Sequence, residues 1–125
     1  MRGNIIRAVV KMMNNDVDPK PYIVSFFREF ADYSMDEKDL ERAINNALEI
    51  PRFVKENRIK PGPVERYERC GRVKYVMFDG VLPDGRRLIV ENSDDYEAKR
   101  ALARRGDIVI RVEPDFSIKV VEVIE

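Results

Sequence analysis

Residues 71–113 decide the fold and read GRVKYVMFDGVLPDGRRLIVENSDDYEAKRALARRGDIVIRVE. Arg72 to Phe78 is apolar on both faces apart from Lys74, the pattern of a strand central in a sheet. Pro83-Asp84-Gly85 is a turn between Val81-Leu82 and Arg87–Asn92, which predicts a hairpin. Ser93 or Asp94 can cap a helix whose inner side is Tyr96, Ala98, Ala101 and Leu102, closed by Arg104-Arg105 and Gly106. Ile108–Val112 and Phe116–Ile124 then form two strands around Glu113-Pro114-Asp115.

Immediately upstream, Val64, Tyr67 and Cys70 are spaced three apart between Pro63 and Gly71, which predicts two helical turns. The sheet unit then has the order α-β-β-β-α-β-β. Before it, Ile5, Ile6, Val9, Val10, Met12 and Met13 recur at helical spacing. Asp18 can cap a second helix carrying the aromatic stripe Tyr22, Phe26, Phe27 and Phe30, expected to be core. Ser34 and Glu37 fit a capping box for a third, with Leu40, Ala43, Ile44, Ala47 and Leu48 inside and Pro51 as its stop. Lys60-Pro61-Gly62-Pro63 breaks any regular element. The expectation is an α+β protein with a three-helix segment over residues 1–60 and a small mixed sheet over 61–125, the two forming either two units or one compact domain.

Composition narrows the chemistry. There is no His, Gln, Thr or Trp, and Arg, Glu, Asp, Val and Ile are abundant, which resembles the composition of hyperthermophile proteins. Without His, the Ser-His-Asp and Cys-His systems are excluded, as is a zinc site of His and Cys. Any catalysis must use carboxylates, Lys, Arg, Tyr, Ser or a hard metal on oxygen ligands. Net charge is zero, so the chain is no general DNA coater. The lone Cys70 forms no intrachain disulfide and is expected to be a buried or partly buried thiol. No apolar run approaches the length of a membrane span, and no targeting segment is legible, so a cytoplasmic protein is expected.

The charge is uneven along the chain. Between Arg52 and Lys74 there are eight cations, Arg52, Lys55, Arg58, Lys60, Arg66, Arg69, Arg72 and Lys74, against three Glu, with Phe53 and Tyr67 among them. Cations interleaved with aromatics suit nucleic acid, pairing with phosphates and stacking on bases; a solvated linker is the plainer alternative. The first three helices also permit a helix-turn-helix, but the outer face of the third carries Asp36, Glu37, Asp39, Glu41 and Glu49, which phosphate repels. On the helix after Ser93, Lys99, Arg100, Arg104 and Arg105 suit the negative end of the dipole and pairing with Asp94, Asp95 and Glu97.

Phe78-Asp79-Gly80-Val81-Leu82-Pro83-Asp84-Gly85-Arg86-Arg87-Leu88-Ile89-Val90-Glu91, with the helix and strand that follow, resembles the PD-(D/E)xK core of restriction-endonuclease-like nucleases. The resemblance spans residues 64–112 and implies that Asp79 and Glu91 hold Mg²⁺ or Mn²⁺ against a scissile phosphate. It also implies a Lys two residues after Glu91 to activate water. Ser93 stands there instead, leaving Lys99 or Lys74 to supply the ammonium. The expected function is thus nucleic-acid association around a nuclease-like or degenerate core, with Asp79, Glu91 and Lys99 as its chemistry. The alternative is a non-catalytic module that forms homo-oligomers through its apolar helices or the edge of the final hairpin.

Overall fold

A computed structural model describes residues 1–125. Four helices come first: α1 (Asn4–Asn14), α2 (Lys20–Phe30), α3 (Glu37–Leu48) and α4 (Ile50–Glu56). Strands β1 (Val64–Arg69), β2 (Arg72–Met77), β3 (Gly80–Val81) and β4 (Arg87–Val90) follow, then α5 (Tyr96–Ala101), β5 (Ile108–Val112) and β6 (Ile118–Val123). The α+β class expected from the sequence holds, with helices leading into a mixed sheet. No helix is long and apolar enough to cross a membrane.

The apolar stripe of α1 places Ile5, Ile6, Val9 and Val10 in the interior. In front of α3 the Asp36 carboxylate, not the Ser34 hydroxyl, accepts the Asp39 N–H at 2.8 Å. Ser34 bonds Asp32 instead, so the expected capping box is not formed. Pro51 does not stop a helix but opens α4, where the first backbone N–H groups need no intrahelical partner.

The main sheet has the order β3-β4-β5-β6, with β4 and β5 parallel and the outer pairs antiparallel. The parallel pair is joined through α5, as a crossover requires. Alternation along β4 and β5 sends Leu88, Val90, Ile110 and Val112 toward α1–α4, where they merge with the helical interior into one core. Ile89 and Val109 point the other way and, with Phe78, pack under Tyr96 and Leu102. Each large aliphatic buried this way contributes about 1.5–3 kcal/mol.

The segment between helices and strands is packed. Ile59 joins the main core and Lys60 bridges Val81. A Cβ at Gly62 would lie 2.2 Å from the Phe78 carbonyl oxygen, so only glycine fits.

Three sequence readings need correction here. Val64–Cys70 is no helix but β1, paired antiparallel with β2 from Val64↔Met77 to Arg69↔Arg72. Its spacing of three mimicked a helix, whereas the two-residue turn Cys70-Gly71, with φ of 53° and 75°, has the positive-φ pair of a type I′ hairpin. Arg72–Met77 is consequently not a central strand: β1 and β2 form a separate two-stranded ribbon whose outer length is exposed. Cys70, at the ribbon's tip, is exposed rather than buried.

Candidate functional site

Asp79 occupies the bend where the chain leaves the ribbon and joins the main sheet, its N–H donating to the Leu88 carbonyl at 3.0 Å. Its Oδ2 accepts the Val90 N–H at 2.8 Å and the Lys99 ammonium at 2.9 Å. Lys99 comes from α5, which crosses over this face of the sheet, and both side chains are 0% exposed. Lys99 also donates to Ser93 Oγ at 2.7 Å. The Ser93 hydroxyl has one proton, which goes to the Val90 carbonyl at 2.7 Å, so its 3.4 Å approach to Asp79 adds little. Asp79 Oδ1 has no partner. Burial therefore raises the Asp79 pKa, outweighing the opposing pull of the Lys99 charge and the Val90 N–H.

The structure thus brings Asp79, Ser93 and Lys99 together. Lys99 does not pair with its own helix's acids, as its spacing suggested, but turns inward. Glu91 leads elsewhere: its two oxygens each lie 3.1 Å from Arg111 Nη2, and Arg111 also faces Glu113 at 3.6 Å. Each acid of the expected metal pair has its own cation. No group of three or more His, Cys, Asp or Glu side chains is placed to hold a metal. A divalent ion at Asp79 would have to displace a buried ammonium, so these residues do not fit the ion that the resemblance implied.

Beneath the same helix lies a second buried ion cluster that sequence reading missed. Arg87 donates from Nε and Nη2 to Asp107 Oδ2 at 3.1 and 2.7 Å, and from Nη2 to the Leu102 carbonyl at 2.8 Å. Its guanidinium lies 4.0 Å from the centre of the Phe78 ring. Nη1 is 2.8 Å from Glu65 Oε1, an ionic contact without good hydrogen-bond alignment. Burial alone would raise the Asp107 pKa, but donation from Arg87 and from the Arg104 and Arg87 backbone N–H groups holds it below the usual range. The only signal in the sequence was an Arg among apolar strand residues, which reads equally well as a solvated edge.

The basic strip divides by location. Arg52 pairs with Glu49 and Glu56 along α4, Arg66 with Glu68, and Lys74 with Asp95. Lys55, Arg58, Lys60, Arg69 and Arg72 have no acidic partner within ion-pair distance. Arg69 and Arg72 face each other directly across the ribbon tip. Like charges directly opposite destabilise a strand pair, and nothing in the chain offsets this one. Beside them Lys74 faces Tyr67, and Tyr75 is 69% exposed on the other face.

In comparisons with protein-family models, curated proteins and solved structures, nothing matches the chain.

Proposed function

We propose that the protein binds nucleic acid through the β1–β2 ribbon, and that the nuclease-like acids behind it form a degenerate, non-catalytic core. The observation that carries this reading is the unneutralised Arg69–Arg72 pair at the tip of an exposed two-stranded ribbon. A two-stranded ribbon has the width to enter a major groove, and guanidiniums grip phosphate and guanine edges in two-pronged contacts. Tyr67 and Tyr75 add ring faces on which an unpaired base can stack. Lys55, Arg58 and Lys60, which also have no acidic partner, offer further phosphate contacts. The degenerate core follows from Asp79, whose only cation is a lysine sealed in with it.

The test is fluorescence anisotropy with a DNA duplex, a single strand and an RNA hairpin over a series of salt concentrations. Binding should weaken steeply with salt, and Arg69→Glu/Arg72→Glu should lower the log–log slope by about 2, one for each lost phosphate contact. Salt-independent binding, or a slope unchanged in the variant, would overturn the reading. Mg²⁺ or Mn²⁺ should produce no cleavage of any of these substrates.

A further inference from the structure

The two edges of the main sheet are finished differently. At one edge β3 is two residues long and is bridged by Lys60. At the other, β6 runs six residues with its outer side open, and Val120, Val121 and Val123 are 60%, 38% and 49% exposed. A long apolar edge with unpaired N–H and C=O groups is a template for another strand.

The residues of β6 fall on two faces. Ile118, Val120 and Val123 pair with Val112, Ile110 and Ile108, so they lie on the helical side of the sheet. Lys119 pairs with Arg111, and Glu122 with Val109, on the α5 side, where Glu122 also accepts from Arg100 at 2.8 Å. Val121 is the extra residue of a bulge, since the register steps from Glu122 to Val120 between Val109 and Ile110.

That bulge makes the strand complementary to itself. A two-fold axis normal to the sheet returns each face to itself, so residues meeting across an antiparallel pair of β6 strands must come from the same face. Centring the axis between Val120 and Val121 places Ile118 opposite Val123 of the second copy, and Lys119 opposite its Glu122, each pair on one face of the sheet. Registers centred on Lys119 or on Glu122 bring like charges together instead.

We infer that β6 pairs antiparallel with β6 of a second copy of this chain, extending the four-stranded sheet across the dimer axis, with Lys119 of each copy bonded to Glu122 of the other.

Sedimentation equilibrium over a concentration series tests this on the full chain, with circular dichroism to confirm that every variant is folded. The wild type should show a monomer–dimer equilibrium. Lys119→Glu places two like-charged pairs across the axis and should weaken association roughly 30-fold. Glu122→Lys should do the same. Mixing the two variants restores both opposite-charge pairs and should return a heterodimer of near wild-type affinity. A wild type monomeric at every concentration, variants that dimerise as it does, or a mixture with no gain would each overturn the proposal.

Discussion

The charges beneath α5 and those at the ribbon tip obey opposite rules. Under the helix, Lys99 has Asp79, Arg87 has Asp107 and Glu65, and all but Glu65 are almost wholly out of water. At the tip, Arg69 and Arg72 stand in solvent, facing each other with no acid. A buried charge must be paired within the chain because nothing else can solvate it. An exposed pair of like charges costs little in water and is free to meet an anion from outside. The contrast separates charges paired inside the fold from charges left unpaired in solvent.

The buried group contains a smaller contrast. Asp107 gathers donors on both oxygens, including the Arg87 N–H at 3.0 Å and the Arg104 N–H at 2.8 Å, and its pKa is lowered against burial. Asp79 receives its donors on Oδ2 alone, and its pKa is raised. The two acids end on opposite sides of the usual value because Asp79 is the more deeply desolvated, whereas more N–H groups reach Asp107 and outweigh its burial.

Changes under α5 should alter stability and leave binding alone, and changes at the tip should alter binding and move stability little. The largest effect belongs to Arg87→Met, which strands Asp107 and leaves Glu65 with Arg104 alone, and should cost about 3–5 kcal/mol in urea unfolding. Lys99→Met should cost less, about 1–3 kcal/mol, because it strands a single acid whose pKa burial already raises. Replacing both partners, Asp79→Leu/Lys99→Met, should recover most of that loss and leave nucleic-acid affinity unchanged. A double variant that unfolds or loses binding would join the two regions and break the contrast.

The pH dependence should split the two acids by sign. Asp107, with its pKa lowered on folding, contributes stability that is present above about pH 4 and lost as the solution becomes more acidic. Asp107→Asn should therefore flatten the acid side of the stability profile. Asp79, with its pKa raised, contributes in the opposite sense, stabilising the fold as pH falls. Asp79→Asn should make that side steeper, as read by urea unfolding between pH 3 and 7. The smallest effect is Arg69→Glu, which turns a repulsive cross-strand pair into an attractive one. It should raise stability by about 0.5 kcal/mol while lowering affinity for nucleic acid.

What the sequence disclosed follows from how local each feature is. The helical stripe Ile5, Ile6, Val9, Val10 and the Pro83-Asp84-Gly85 turn carry their own instructions, and both formed as read. The ribbon did not read correctly. Val73, Tyr75, Val76 and Met77 make an apolar run that looks central in a sheet, but that reading assumes neighbours on both sides and β2 has only β1. At the site, Asp79 and Lys99 were legible as a pair of chemical types. Their contact depends on α5 lying across β4 and the Asp79 bend, a tertiary relation twenty residues long in sequence. Glu91 carries the same ambiguity, since nothing local says whether a strand-end acid meets a metal, a phosphate or, as here, Arg111.

The most direct measurement is a set of ¹H–¹⁵N correlation spectra recorded as a short DNA duplex or RNA hairpin is added, with and without Mg²⁺. The account predicts Mg²⁺-independent shifts concentrated at residues 66–75, and at Lys55, Arg58 and Lys60, while Asp79, Ser93 and Lys99 stay still. Shifts centred on Asp79, Glu91 and Lys99 that appear only with Mg²⁺, over a silent ribbon, would contradict it.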